Sequence, residues 1–319
     1  MKSGVKWAAL HIMKDLLGIR PLNTQMILDV LDRADGFLPL NTPDQATLSR
    51  CAGQTLVNLF FEASTRTRTS FELAAKRLGM EVVNLVVGAS SVTKGETLRD
   101  TILTLDAMRP DAVVVRHSTS GVPAYLANFS QAHFINAGDG AHEHPTQALL
   151  DALTIRRHFG KIAGLTVAIL GDVLHSRVAR SNVHLLTKLG AQVRISGPRT
   201  LLADGIEHLA NGNAGTARVY TSIQAAVTEA DAIMMLRIQR ERQNSAFLPT
   251  LGEYFKFYGL NQTRLQLARP NAIVLHPGPI NRNVEIASEI ADSVQSKILE
   301  QVQNGVAVRM AVLDTLLHS

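Results

Sequence analysis

The chain has 319 residues, of which 46% are hydrophobic and 18% are charged, a balance typical of globular proteins and not of disordered ones. The net charge is +5, but Arg and Lys are scattered and form no runs, which argues against nucleic-acid binding and favours small anionic substrates. The single cysteine, Cys51, excludes an intrachain disulfide and indicates a reducing, cytoplasmic compartment. No apolar run suits a signal peptide or a membrane span, so no membrane partner is expected.

Apolar, strand-like runs alternate with amphipathic, helix-like segments over most of the sequence. The predicted strands are Leu56–Phe61, Val82–Val87, Ala112–Val115, Phe134–Asn136, Thr166–Leu170, Gln192–Ile195, Ala232–Leu236 and Ala272–Leu275. The predicted helices are Thr67–Leu78, Glu96–Met108, Gly121–Phe129, Thr146–Phe159 and Ala179–Leu189. This alternation is typical of parallel sheets with crossover helices. We therefore predict an α/β fold of two doubly wound domains, each a parallel sheet flanked by helices.

The predicted domain boundary lies near the end of the long helix that begins around Pro145. Residues 1–150 form the first predicted domain and residues 151–299 the second. A last helical pattern places apolar residues at four-residue steps and is interrupted by Gly305; these residues are Ile290, Val294, Ile298 and Val302. A terminal helix this apolar must dock, and we expect residues 300–319 to return to the first domain.

The strongest chemical signal follows the first clear strand, where residues 60–72 read FFEASTRTRTSFE. A strand that runs into Ser-Thr-Arg-Thr-Arg and then a helix places hydroxyls, backbone N–H groups and Arg66 at a helix N-terminus. Such an arrangement can bind a phosphate. Ser and Thr are also ordinary N-caps, and the arginines can simply be solvated. The segment by itself leaves both interpretations open.

This segment closely resembles the carbamoyl-phosphate motif of the aspartate and ornithine carbamoyltransferases. Further segments match the family in its order: Lys94-Gly95-Glu96-Thr97, Val115-Arg116-His117, Ala137-Gly138-Asp139-Gly140, His144-Pro145-Thr146-Gln147, Gly171-Asp172, Leu236-Arg237-Ile238-Gln239 and His276-Pro277-Gly278-Pro279. The resemblance extends over the whole chain except roughly the first ten residues. It implies an enzyme that needs neither a metal nor an organic cofactor.

The resemblance also implies roles for individual residues. The phosphate of carbamoyl phosphate would be held by Ser64, Thr65, Arg66, Thr67 and Arg116. The carbamoyl oxygen would be approached by Thr67, Arg116 and His144, and the carbamoyl amide would donate to Gln147 and to the backbone carbonyls of Pro277 and Gly278. Fixed donors of this kind stabilise a tetrahedral intermediate. A histidine before proline can simply end a loop, and His276 has the same context; the neighbouring Thr146-Gln147 distinguishes His144.

Ser90 and Lys94 lie in a stretch rich in glycine and serine, where a solvated lysine on a mobile loop is the ordinary expectation. In the family, this loop enters the active site of the neighbouring subunit. The resemblance therefore implies that Ser90 completes the carbamoyl-phosphate site and that Lys94 contacts both substrates. It also implies a homotrimer whose active sites are shared between subunits.

The second substrate distinguishes the branches of the family. Aspartate has two carboxylates and needs two cationic groups, and the resemblance assigns Arg177 and Arg237 to them, with Gln239 and Lys94 alongside. The ornithine branch typically carries Ser-Met-Gly and His-Cys-Leu-Pro segments, which this chain lacks. Arg177 could also be a surface arginine, although an arginine opening a helix opposes the macrodipole.

The expected function is therefore transfer of the carbamoyl group of carbamoyl phosphate to the amino group of L-aspartate. The products would be N-carbamoyl-L-aspartate and phosphate, an early step of pyrimidine synthesis. Two alternatives stay open: an inactive family member that only binds, and a carbamoyltransferase for another amine such as ornithine. Gly171-Asp172 after a strand lacks the spacing of a dinucleotide site. A regulatory or dihydroorotase-like chain is a further possible partner.

Overall fold

The computed structural model describes residues 13–40, 47–86, 97–238 and 250–318. Ser90, Lys94, Gln239 and the first ten residues lie outside this part of the chain. The chain divides into two compact units, one running to Leu153 and resuming at Gln303, the other running from Thr154 to Val302. In the described part of the chain, none of the helices combines the length and the hydropathy that a membrane span requires.

The first unit is built on a sheet of four parallel strands. The strands are β1 (Thr55–Phe60), β2 (Glu81–Val86), β3 (Ala112–His117) and β4 (His133–Asp139), in the order β2-β1-β3-β4. The helices that begin in this unit are α1 (Thr24–Phe37), α2 (Thr65–Arg77), α3 (Leu98–Asp106), α4 (Val122–Ala127) and α5 (Pro145–Phe159). The chain passes from β1 to β2 on one side and from β3 to β4 on the other. The gap between β1 and β3 is therefore the point where parallel sheets of this kind bind ligands, at the carboxyl ends of the strands.

The second unit contains a sheet of five parallel strands. The strands are β5 (Thr166–Leu170), β6 (Gln192–Ser196), β7 (Thr216–Val219), β8 (Ala232–Met235) and β9 (Ile273–Leu275), in the order β7-β6-β5-β8-β9. The helices that begin here are α6 (Arg177–Lys188), α7 (Ile223–Val227), α8 (Leu251–Tyr258), α9 (Gln262–Leu265), α10 (Ser288–Ala291) and α11 (Ile298–Leu317). The corresponding switch point lies between β5 and β8.

The predicted fold class is confirmed, because both sheets are parallel and flanked by helices. All eight predicted strands are present, with ends within three residues of the prediction. Strand β7 was missed. It is a short edge strand with mostly exposed residues, including Val219 at 39%, so it has no apolar run for sequence analysis to find.

The last predicted helical pattern was wrong in detail. Ile290 belongs to α10, Val294 is 91% exposed between the helices, and Gly305 lies inside α11 without interrupting it. Helix α10 does not continue into α11 because the chain between them pairs with β9. The N–H of Val274 donates to the carbonyl of Gln295 at 2.8 Å, and the N–H of Lys297 donates back to the carbonyl of Val274 at 2.9 Å.

The part of α11 that belongs to the first unit is anchored there by a buried arginine. Arg309 Nη1 donates to Ser70 Oγ at 3.1 Å and to the carbonyl of Gly305 at 2.8 Å, and its guanidinium lies 5.1 Å from the centre of the Phe71 ring. Burial lowers the pKa of Arg309 to about 10, although the neighbouring Asp151 opposes that shift. The anchor connects the C-terminal helix to α2.

Cys51 lies beneath the same helix, beside Asp314 and His318. Burial, with a further contribution from the charge of Asp314, raises the pKa of Cys51 to about 12. Arg33 and Arg50 both hydrogen-bond to the Asp314 carboxylate, so this carboxylate is already neutralised and the three side chains form a poor cation site.

Iodoacetamide at pH 8 should therefore leave native Cys51 unmodified, because alkylation requires the thiolate. The same reagent in urea should add one label to every chain, since Cys51 is the single cysteine. Intact mass spectrometry separates the two states by one adduct. Labelling of the native protein as fast as the unfolded chain would show that the thiol is neither buried nor protonated.

Candidate active site

Ser64, Thr65, Arg66 and Thr67 lie where β1 leads into α2. Thr65 opens the helix, Arg66 is exposed and Thr67 is 9% exposed. Ser64 occupies the N-cap position, but its side chain makes no capping hydrogen bond to the first turn. Ser64 therefore does not fill the structural role that the sequence left open. The start of α2 combines backbone N–H groups, hydroxyls and an arginine, which together suit a phosphate.

Arg116 lies at the carboxyl end of β3, in register with Phe60 at the end of β1. Its Nε lies 2.7 Å from Glu62 Oε1, and its Nη1 donates to the carbonyl of Ala137 at 3.3 Å. These contacts hold the guanidinium at the switch point between β1 and β3. Glu62 belongs to the motif of residues 60–72, but no role was predicted for it.

His144 is the last residue before α5 and is only 5% exposed. Its carbonyl accepts the N–H groups of Gln147 at 3.0 Å and of Ala148 at 3.3 Å, which places it at the start of the helix. Gln147 Nε2 donates to Asp151 Oδ1 at 2.8 Å. The carbonyl oxygen of Gln147 is then the atom able to accept a hydrogen bond from elsewhere.

The turn that carries the chain from β4 to His144 is held by Asp139, which is 1% exposed. Its carboxylate accepts from the N–H of Gly121 at 2.7 Å, from Asn136 Nδ2 at 2.8 Å and from the N–H of Glu143 at 3.1 Å. Burial by itself would raise the pKa of Asp139, but these bonds and one to His142 lower it below its ordinary value.

Asp139→Asn should destabilise the protein by about 2–4 kcal/mol at pH 7, because an amide nitrogen would then face backbone donors. The pKa of Asp139 is lower in the folded state than in the unfolded chain, so its stabilising effect is present above about pH 4 and is lost as the pH falls through the folded-state pKa. Urea unfolding from pH 7 to pH 3 should show the difference between parent and variant shrinking at low pH.

The exposed Asp204 offers a matched control, and Asp204→Asn should change stability by less than about 0.5 kcal/mol. A loss for Asp139→Asn that stayed constant down to pH 3 would mean that charge has no part in its effect.

In the second unit, Arg177 is the first residue of α6 and is 4% exposed. The turn between β5 and α6 is held by Asp172, whose Oδ1 accepts from the backbone N–H of His175 at 3.2 Å and lies 2.9 Å from His175 Nδ1. Gly171 has φ +126°, and a Cβ there would come within 3.2 Å of the Leu236 carbonyl. Only glycine lets the two loops approach this closely.

Arg237 directly follows Leu236 after β8 and is partly buried. The N–H of Leu236 donates to the carbonyl of Leu170 at 2.8 Å, so the loops after β5 and β8 leave adjacent strands at one edge. Arg177 and Arg237 thus belong to the two loops at the switch point of the second sheet.

Pro277 and Gly278 follow β9, the neighbour of β8. Gly278 has φ +66° and its N–H donates to His276 Nδ1 at 2.8 Å. His276 is 2% exposed, and its own N–H donates to Gln301 Oε1 at 3.0 Å. His276 therefore has a structural role in this turn, which distinguishes it from His144.

Within each unit, the described residues predicted from the sequence gather at the carboxyl edge of the sheet. The first unit carries Ser64, Thr65, Arg66, Thr67, Arg116, His144 and Gln147. The second unit carries Arg177, Arg237, Pro277 and Gly278. Glu62, Asp151 and Asp172 support these residues and were not predicted to do so.

Two family models match nearly the whole chain. Residues 14–157 match the carbamoyl-phosphate-binding domain of the aspartate/ornithine carbamoyltransferases, and residues 163–316 match their aspartate/ornithine-binding domain. The chain is 58% identical over 303 residues to the aspartate carbamoyltransferase catalytic subunit of Azorhizobium caulinodans, covering 95% of this chain and 92% of that protein. It is 56% identical over 305 residues to the corresponding subunit of Gluconobacter oxydans, covering 96% of each.

Solved structures are similar over the same length. Ornithine carbamoyltransferase from Pyrococcus furiosus superposes with a TM-score of 0.88 at 28% identity, covering 98% of this chain and 99% of that one. Aspartate transcarbamoylase from Trypanosoma cruzi, in complex with carbamoyl aspartate and phosphate, superposes with a TM-score of 0.85 at 30% identity and the same coverage. The same enzyme has also been solved with carbamoyl phosphate and aspartate, covering 96% of each chain.

Proposed function

Because this chain belongs to the aspartate/ornithine carbamoyltransferase family, we propose that it transfers the carbamoyl group of carbamoyl phosphate to the amino group of L-aspartate. The products are N-carbamoyl-L-aspartate and phosphate, and the reaction serves as an early step of pyrimidine synthesis. The observation that carries the choice of aspartate is the pair Arg177 and Arg237, one in each loop at the switch point of the second sheet.

Two arginines suit a substrate with two carboxylates, because each guanidinium can bind one carboxylate through two parallel hydrogen bonds. Ornithine carries a second amine, which would need an acidic partner instead. The Pyrococcus ornithine enzyme has the same fold, so the fold does not choose between the two amines. The chemistry of the loops after β5 and β8, together with relatives named for aspartate, supports aspartate.

The phosphate of carbamoyl phosphate is assigned to the first unit. The start of α2, with Ser64, Thr65, Arg66 and Thr67, suits its phosphate, because N–H groups, hydroxyls and a guanidinium meet at a helix N-terminus. Arg116 and His144 are assigned to the carbamoyl oxygen. Gln147 is assigned to the carbamoyl amide, since Asp151 already receives its Nε2. Ser90 and the backbone carbonyls of Pro277 and Gly278 are the remaining groups assigned to carbamoyl phosphate.

The proposed mechanism is a direct attack by the aspartate amine on the carbamoyl carbon. A new N–C bond forms, the C–O bond to phosphate breaks, and the departing phosphate takes the proton released by the amine. Arg66, Thr67, Arg116 and His144 stabilise charge on the phosphate and the carbamoyl oxygen. Holding both substrates in position contributes up to about 7–11 kcal/mol in favourable cases.

The active enzyme is proposed to be a homotrimer in the cytoplasm, in which Ser90 and Lys94 of one subunit complete the site of the next. Lys94 and Gln239 are also assigned to aspartate by the family resemblance. Exposed apolar residues support a subunit contact at the β2 edge of the first sheet. Val83 on the edge strand β2 is 44% exposed, and Leu73 on α2 is 42% exposed. A regulatory or dihydroorotase-like chain is proposed as a further partner of this trimer.

Subunit mixing tests the shared site. Arg66→Ala and Lys94→Ala chains should each be nearly inactive alone, but a mixed trimer contains one site with both residues intact. Activity should therefore return when the two variants are unfolded and refolded together. The particle mass should be three times the chain mass of 34.6 kDa. A fully active particle of one chain mass would overturn the trimer.

The function itself is tested with the purified chain, carbamoyl phosphate and either L-aspartate or L-ornithine. Carbamoyl-aspartate should form, and no citrulline should form from ornithine. Formation of product with L-ornithine but not with L-aspartate would contradict the assignment of Arg177 and Arg237. Absence of product from both amines would favour the inactive member of the family that the sequence left open.

A further inference from the structure

We propose that the buried carboxylate of Glu285 is a positioning residue that sets both the loop carrying Arg237 and the turn carrying Pro277 and Gly278. This inference rests on the proposed function, because it deepens the account of the same site. Glu285 is fully buried and does not belong to the residues assigned to either substrate. Its side chain lies between the ends of β8 and β9.

The first contact of Glu285 reaches the loop after β8. Its Oε1 accepts the backbone N–H of Ile238 at 3.0 Å. Ile238 is 1% exposed and directly follows Arg237. Because a peptide held at this N–H limits the backbone rotation of the residue before it, the bond sets the direction in which the Arg237 side chain leaves the loop.

The second set of contacts reaches the turn after β9. Glu285 Oε2 accepts the N–H of Asn281 at 2.7 Å, and Oε1 accepts Asn281 Nδ2 at 2.6 Å. His276 Nε2 lies 3.8 Å from Oε2. Since His276 Nδ1 accepts the N–H of Gly278, its proton belongs on Nε2, which faces the carboxylate.

The end of the turn at Asn281 is therefore bonded to the Glu285 carboxylate, while His276 at its start lies near the same carboxylate, beyond hydrogen-bond distance. The carbonyls of Pro277 and Gly278 lie between them. Both carboxyl oxygens act as acceptors here: Oε1 accepts from the Ile238 N–H and from Asn281 Nδ2, and Oε2 accepts from the Asn281 N–H. An apolar residue would avoid the cost of burying a charge but would leave the N–H groups of Ile238 and Asn281 without this acceptor.

Glu285→Gln keeps the size of the side chain but replaces one acceptor oxygen by an NH₂ group that faces donors. We expect the KM for L-aspartate to rise at least tenfold, because Arg237 is no longer held in place. Inhibition by inorganic phosphate should stay within twofold of the parent, because phosphate is assigned to the first unit. Glu285→Asp, which keeps the charge, should give a smaller rise of about threefold. A residue that only stabilised the fold would lower the melting temperature without raising the KM for L-aspartate more than the inhibition constant of inorganic phosphate.

Glu289 is a matched control, since it is an exposed glutamate four residues further along. Glu289→Gln should leave both constants within twofold of the parent. If Glu285→Gln fails to fold, Glu285→Asp carries the same comparison. A KM for aspartate within twofold of the parent in a folded Glu285 variant would overturn the positioning role while the proposed function stands. A parent protein that forms no carbamoyl-aspartate would overturn both.

Discussion

Replacing Arg66 with alanine should lower kcat by about a hundred- to a thousandfold while leaving the protein folded. Loss of one charged or preorganised donor to the developing anion costs about 3–4 kcal/mol in comparable sites. Arg66 is exposed in the first turn of α2, where alanine is a good helix former and leaves no cavity. Steady-state rates with saturating aspartate, together with the melting temperature, measure the two effects separately.

Lys76 is a suitable control because it is an exposed cation at the other end of the same helix. Lys76→Ala removes the same formal charge and one surface pair with Glu72, which contributes at most about 0.5 kcal/mol. Its kcat should stay within twofold of the parent. Equal losses in both variants would point to net charge rather than to a phosphate contact, and a near-normal rate for Arg66→Ala would remove this residue from the site.

Arg237→Ala should raise the KM for L-aspartate at least a hundredfold, with the KM for carbamoyl phosphate changed less than threefold. A hydrogen-bonded ion pair to a carboxylate in a partly buried position is worth about 2–5 kcal/mol when one partner is removed. Arg237→Lys should recover only part of this, because an ammonium cannot make the two parallel bonds of a guanidinium.

Arg218 is an exposed arginine on β7, at the far edge of the same sheet, and Arg218→Ala should leave both constants unchanged. Parallel rises in the KM of both substrates for Arg237→Ala would instead indicate a general distortion of the site. That outcome would contradict the assignment of this arginine to aspartate.

Much of the fold could be predicted because each buried strand is a local pattern. Thr166–Leu170 is apolar after its first residue and is a fully buried strand with the predicted bounds. Strand β7 carries no such run, because its position at the edge of the sheet leaves most of its side chains exposed. The predicted helix through Val294 failed for a different reason: backbone pairing of residues 295–297 with β9 overrides the helical spacing.

In the candidate site, too, local sequence motifs could be recognised, whereas contacts between distant residues could not. The segment from Ser64 to Arg68 is contiguous, so its chemistry and its family resemblance could both be recognised in the sequence. The residues that support the site come from distant positions. Glu285 meets Ile238 across 47 residues, and Arg309 meets Ser70 across 239 residues. No local pattern marks such pairs.

The sequence by itself determined the fold class, the family resemblance and the identity of the residues proposed to bind both substrates, because apolar periodicity and contiguous motifs are local properties of a chain. Only the tertiary structure decided that the described members of this set gather at the carboxyl edges of two parallel sheets, that the Ser64 side chain makes no capping bond, and that Glu62, Asp139 and Glu285 hold the loops in place. The physical reason is that strand order and buried hydrogen bonds join residues far apart in the chain.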